Sequence, residues 1–160
     1  MSNAETVLIN ILETAHHLAI ATVDDLGNPH ASYTPFVVDK HKHFYIFISE
    51  VSASTANLLN NKEASIMVLN PQSAHGDPFA PERLRLQCNV VPVLKGSEIW
   101  HSTVDLFKAR FKDKVSTITQ DEENFLLIQL KPFRGRLVLN KSDIFDISGN
   151  NLEEIKPFKP

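Results

Sequence analysis

Hydroxyl side chains cluster at Ser49, Ser52, Ser54 and Thr55, directly after an apolar run. The stretch SEVSASTANLLNNKEASIMVL, residues 49–69, reads as a strand end, a polar turn, a short helix and the next strand. Any of Ser52, Ser54 or Thr55 could cap that helix by accepting a bond from an unpaired N–H. A hydroxyl-rich turn opening a helix after a strand also suits an anion, because free N–H groups and the helix dipole meet at one spot. An ordinary capped helix explains the same residues, and on this stretch alone it is the stronger reading. Arg83 and Arg85 add charge from one face of a strand, and a planar guanidinium fork matches a phosphate or propionate. A solvated strand face accounts for them equally well, since surface Arg is common. Thr55 and Asn57 could line the same groove, or serve only in capping and surface contact.

Other reactive residue types lack partners. His41 and His43 are two apart at a strand start and could begin a metal site, but no third ligand is evident. His75 could swing over a groove from a long loop, although a lone loop histidine usually means little. His30 and His101 read as ordinary. Cys88 falls on a buried face, where a free thiol is generally inert. Trp100 reads as core. No Ser/His/Asp arrangement, glycine-rich phosphate loop or carboxylate pair stands out, so the sequence assigns neither a catalytic residue nor a metal site.

The elements that must hold these residues follow from periodicity. Apolar residues at Val7, Leu8, Ile11, Leu12 and Ala15 give a helical stripe over Thr6 to His16. His16 and His17 fall at its end, where a cation complements the dipole. Leu18 to Val23 is a buried strand, Asp24 to Pro29 a turn with Gly27 free for positive φ, and His30 to Val38 the returning strand. Pro35 inside that strand implies an edge or a bulge. Strands follow at His43 to Ile48 and Ala64 to Leu69, then a proline-rich loop from Asn70 to Pro81. In Arg83 to Leu94, Arg83, Arg85 and Gln87 alternate with Leu84, Leu86 and Cys88, so one face is polar. Ser97 is expected to cap a second long helix whose inward stripe is Trp100, Thr103, Val104, Phe107 and Phe111. Phe125 to Leu130 is a sixth strand, interrupted at Lys131-Pro132 before Gly135 to Leu139, and Asp143 to Ile147 a last short one. The charged, proline-containing end beyond Asn150 is expected to be loosely held. The pattern is mainly β with peripheral helices: six or seven antiparallel strands forming a small barrel.

At 160 residues the expectation is one domain over 1–160, its core roughly 6–147 and its tail 148–160. The net charge of −3 asks for neither nucleic acid nor an anionic membrane. One cysteine permits no internal disulfide and fits a reducing compartment. No stretch approaches a spanning helix, and no signal peptide is seen near the start, so a cytoplasmic protein is expected.

The order of elements resembles the split-barrel flavin-binding superfamily typified by pyridoxamine 5′-phosphate oxidase. LAIATVDDLGNPHASYTPF resembles its first hairpin, and FISEVSASTANLLNNKEASIMVL its strand, phosphate turn, helix and next strand. More narrowly, SEVSASTANLLNNKEASIMVL, DPFAPERLRLQCNVVPV and ENFLLIQLKPFRGRLV are similar to the haem-utilisation (HugZ/HutZ-type) branch. The resemblance implies an antiparallel split β-barrel of the FMN-binding type. It also implies a homodimer and a planar cofactor, haem or FMN, in the groove between two chains. It would place Tyr33, Thr34, Ser49, Ser52, Ser54, Thr55, Asn57, Arg83 and Arg85 about that cofactor, with Tyr33 and Thr34 on the strand beside a flavin ring. The departures matter. Ala53 and Ser54 stand where flavin-dependent members carry Arg and Lys against the phosphate. Ser54 stands where the haem branch has His before Thr, and Asn124 where it has an acid. No histidine follows His101, so the C-terminal iron ligand of some members is missing. The functions implied are haem binding with oxidative haem breakdown, an FMN-dependent oxidoreductase, or a cofactor carrier without catalysis.

Overall fold

The computed structural model describes residues 2–73 and 75–160. The chain opens with helix α1 (Asn3–Thr14), where Ser2 and Glu5 form a capping box. The helix thus starts and stops before the expected limits, and His17 opens strand β1 instead of lying on it. Strands β1 (His17–Val23) and β2 (Pro29–Pro35) form a hairpin around Gly27, whose φ of 84° needs glycine. Phe36 alone separates β2 from the short β3 (Val37–Val38), which pairs with β4 (Phe44–Ser49). Helix α2 (Ala53–Asn60), β5 (Glu63–Leu69) and β6 (Arg83–Pro92) follow. Then come α3 (Glu98–Phe111), the short α4 (Ser116–Gln120), β7 (Phe125–Val138), β8 (Ile144–Ser148) and β9 (Glu154–Pro157).

All pairings described are antiparallel, and the sheet runs β2-β1-β5-β6-β7-β4-β3, with β8 on β7 and β9 on β8. Its two ends, β2 and β3, are separated by one residue of chain. The sheet must therefore curl until those ends meet, giving a barrel split at Phe36. Pro35 ends edge strand β2, as its missing N–H requires. At the seam, the Phe36 N–H donates to the His16 carbonyl at 3.2 Å, and Arg110 from α3 reaches in over the Phe36 ring at 5.7 Å. Arg110 Nη2 also donates to the Ala15 carbonyl and, at 3.2 Å, to that of Glu13, closing the carbonyl end of α1.

Two cores result. Inside the barrel lie Leu18, Ile20, Phe44, Ile46, Ile66, Leu84, Leu86, Ile128 and Leu130, with α1 and Leu58 of α2 plugging the ends. On the other side of β4 and β7, α3 packs Val104 and Phe107 against Val37, Tyr45, Phe47 and Leu127. Strand β4 is buried on both faces, which is why FYIFI shows no alternation. Ser97 caps α3 by accepting from the Trp100 N–H at 3.2 Å, and Thr103, Val104 and Phe107 face inward as expected.

Two further expectations fail. Lys131-Pro132 does not break β7; the strand runs through, and Pro132 sits at a bulge between Gln87 and Cys88 of β6, with Phe133 the extra residue. The end of the chain is not loose. β9 pairs with β8, Leu152 is fully buried, the Phe158 N–H donates to the Ile144 carbonyl at 2.8 Å, and the Arg136 guanidinium lies 3.9 Å over the Phe158 ring.

Candidate functional site

The residues singled out in the sequence separate onto two faces of the sheet. Alternation along β1 and β2 turns Thr22 and Ser32 toward the barrel interior and Ala19, Ala21 and Tyr33 outward. The α2 residues meet the interior set. Ser54 shares a hydrogen bond with Ser32, the Thr55 hydroxyl donates to the Ser49 carbonyl, and Asn57 Nδ2 donates to the Thr22 hydroxyl at 3.0 Å. Ser54, Thr55 and Asn57 are all buried. Ser52 holds the N-cap position without a side-chain bond, and Ser49 Oγ accepts from the Val51 N–H at 3.4 Å. Thr34 is half-buried and donates to the Pro35 carbonyl at 3.4 Å. The hydroxyl stretch thus closes one end of the barrel, with its bonding capacity mostly used internally.

The outward face is different. Register places Tyr33, Ala19, Met67, Arg85 and Arg136 on successive strands in one row. Leu69 and Arg83 form a neighbouring pair. A groove of about 580 Å³ lies here, within the range of about 300–1,000 Å³ usual for small-molecule sites. Ala19, Met67 and Leu69 are its floor, Tyr33 and the loop residues Pro71 and Pro81 its walls, and His16 and His17 its end. Tyr33 is 73% exposed, and its ring stacks on His17 at 4.9 Å and 9°. Arg83 and Arg85 stand beside the floor, directly across from Leu69 and Met67. Arg83 Nη1 donates to the Pro81 carbonyl at 3.1 Å. Arg85 has no hydrogen bond or ion pair among the described residues.

Beyond Arg85 the face continues into a polar hollow of about 480 Å³ with Gln87, Arg134 and Arg136. Arg134 donates to Gln87, and Arg136 is held by Asp146 at 2.9 Å. Arg85 and Arg136 are direct cross-strand neighbours, and like charges directly opposite weaken a sheet; Asp146 offsets the Arg136 charge and leaves Arg85 without a partner among the described residues. Gly135 lets β6 and β7 approach at the bulge: a Cβ there would lie 2.5 Å from Leu86 Cδ2 and closer still to the Arg85 carbonyl oxygen.

Sequence reasoning missed four residues of this face. Arg134 and Arg136 flank Gly135 at period two, the same signal that revealed Arg83 and Arg85. His16 and His17 looked like helix-end cations, and only the early stop of α1 turns them into the groove. His41 and His43 lie 6.0 Å apart, ring to ring, with His43 at 3.6 Å from Asp39. Burial holds the His43 imidazole below its usual range, outweighing the Asp39 charge. His75 is exposed in the loop. Cys88 is fully buried, and burial pushes its thiol up to about 12. Among the described residues, no helix is long and apolar enough to cross a membrane.

Known proteins agree with this architecture. The family model described as pyridoxamine 5′-phosphate oxidase matches residues 8–139. Haem oxygenase HutZ of Vibrio cholerae is 30% identical over 135 residues, covering 84% of this chain and 76% of that protein. A crystal structure of HutZ from Vibrio cholerae, described there as a haem storage protein, superposes with a TM-score of 0.75 at 27% identity. It covers 82% of this chain and 91% of that one. The crystal structure of Campylobacter jejuni ChuZ superposes with a TM-score of 0.85 at 27% identity, covering 99% of this chain but 63% of that one.

Proposed function

The chain belongs to the haem-utilisation branch of the pyridoxamine 5′-phosphate oxidase-like family, and from that premise we propose that it binds haem on the outer face of its sheet. The carrying observation is the junction of an apolar groove with the Arg83 and Arg85 side chains on one face. A haem has a flat apolar body and two carboxylates at one edge. Ala19, Met67 and Leu69 offer the body a dry floor, and two guanidinium forks offer the carboxylates charge-assisted bonds. Bound haem would supply a redox-active iron. This chain's own residues would bind and orient the macrocycle and keep water from one side of it.

FMN fits less well. The α2 turn has Glu50 as its only charged residue, and the Ser54 and Thr55 hydroxyls are already engaged. A dianionic phosphate would meet no counter-charge from that turn.

The same face exposes Tyr33, Met67 and Leu69, and a second copy of the chain covering it would complete the groove. Light scattering of the purified protein reads this directly, with a dimer as the expected mass.

Titration of the purified chain with haemin tests the main reading. A saturable Soret shift is expected, with no tight binding of added FMN; a Soret band identical to free haemin throughout would remove it. Adding a reductant in air then separates breakdown, seen as loss of the Soret band, from carriage, in which the band persists.

A further inference from the structure

We infer that His17 supplies the axial ligand to the haem iron, an assignment that rests on the haem-binding reading above. Haem iron needs a protein donor such as His, Cys, Met or Tyr. Cys88 is buried inside the barrel. His30 is paired with Asp24 at 3.6 Å and His43 with Asp39. His41, His75 and His101 line none of the grooves described. Of the histidines, His16 and His17 remain, and both border the apolar groove, beside Tyr33 and Met67; an imidazole is the donor the assignment takes, because Met67 belongs to the floor and Tyr33 is the ring on which His17 stacks.

Geometry selects between them. His17 occupies an outward position of β1, in phase with Ala19 and Ala21, so its side chain stands on the groove side of the sheet. His16 precedes the strand and turns to the edge of Phe111, at 5.6 Å. The His17 ring is stacked against Tyr33, which limits its rotation, and its nitrogens have no hydrogen-bond partner among the described residues. An imidazole held by its face with both nitrogens free is a ligand in waiting, because no existing bond must break for coordination.

The span also agrees. His17 lies two residues beyond the Ala19–Met67 pair on β1, Leu69 lies two residues beyond it on β5, and Arg83 is directly across from Leu69. Two strand spacings, about 10 Å, therefore separate the backbone of β1 from that of β6. A porphyrin whose centre faces His17 can extend its propionates over Met67 and Leu69 toward Arg83 and Arg85. Donor, floor and counter-charge follow one another across three adjacent strands.

The experiment compares haemin complexes of the full chain, His17→Gly and His101→Ala, by Soret titration and by electron paramagnetic resonance of the ferric form. Circular dichroism verifies folding; both side chains are exposed, so their loss leaves the core intact. In His17→Gly the histidine-ligated signature should vanish, affinity should fall at least tenfold, and added imidazole should restore the spectrum. His101→Ala, at an exposed residue that lines none of these grooves, should match the parent chain. If the parent binds haemin and His17→Gly keeps the same spectrum and affinity, the ligand assignment is overturned while haem binding stands. If the parent fails to bind haemin, both are overturned.

Discussion

Replacing Gly135 by alanine tests how the arginine face is built. The new Cβ would lie 2.5 Å from Leu86 Cδ2 and nearer still to the Arg85 carbonyl oxygen, whereas carbon atoms rest at about 3.5–4.0 Å. Something must retreat by about 1 Å or more. Leu86 is fully buried in the barrel, and the Arg85 carbonyl belongs to backbone rather than to the end of a flexible side chain. Overpacking of this kind typically costs about 1–3 kcal/mol. Because backbone must move beside a bulge, about 3 kcal/mol is expected here. For a domain of this size each kcal/mol lowers the melting temperature by about 2–4 °C, so the drop should be about 6–12 °C. Calorimetry or thermal circular dichroism reads it. Gly27→Ala is the control: its Cβ would meet nothing within 4 Å, and its penalty comes from the positive φ alone, about 1–2 kcal/mol. A Gly135→Ala protein melting within about 2 °C of the parent would refute the close approach of β6 and β7, and with it the spacing of Arg85 and Arg136.

Three further substitutions separate stability from binding. Arg85→Ala removes an unpaired, exposed cation opposite Arg136. Stability should stay within about 0.5 kcal/mol by urea titration, while loss of a charged hydrogen bond of about 1.5–3 kcal/mol should weaken haemin binding by about tenfold or more; unchanged affinity would remove Arg85 from the site. Asn57→Ala strands the buried Thr22 hydroxyl, so stability should fall by about 1–3 kcal/mol with haemin affinity unaffected. A loss of affinity at unchanged stability would instead put the α2 cradle against the ligand. Cys88 governs alkaline behaviour: its thiol is pushed from 9.0 up to about 12 by burial. Below pH 9 both folded and unfolded chains keep the proton; between 9 and 12 only the unfolded chain loses it, so stability falls by about 1.4 kcal/mol per pH unit. Tyr45, raised from 10.0 to about 12, adds in the same direction above pH 10. Urea unfolding at pH 8 and pH 10 should show a smaller loss for Cys88→Ala than for the parent, and equal losses would contradict the burial argument.

Strands were readable where their burial is one-sided or complete. The alternation of β6 and the unbroken apolar run of β4 each encode their surroundings, and Ser97 encodes the start of α3 by a local bond. Features set by a distant partner were not readable. Pro132 looks like a strand breaker until β6 supplies the bulge that accommodates it. Nor does anything near Leu152, at a φ of 54°, announce that its side chain will be fully buried and that β9 will pair with β8. The split barrel itself was legible as a class because seven of the strands fall within recognisable hydrophobic patterns. The seam was marked only by Pro35.

The candidate site was half legible for a reason that lies in the period of a strand. Residue type identified both the hydroxyl cradle and the arginines, but it does not say which face each one reaches. Ser32 and Tyr33 are neighbours in sequence and point to opposite sides of the sheet. Ser54, by bonding to Ser32, is committed to the interior side, while Arg85 lies on the side of Tyr33. A small ligand on one chain therefore cannot touch both sets without crossing the sheet. What then distinguishes a binding surface from a capping motif is unused bonding capacity. The α2 side chains have largely spent theirs inside the fold. Arg85 and His17 have spent none on hydrogen bonds, and they border exposed apolar residues that gain nothing from water. An unpaired guanidinium set against a second one across a strand pair is a poor arrangement for a bare surface. It becomes a favourable one when carboxylates arrive on a flat apolar body.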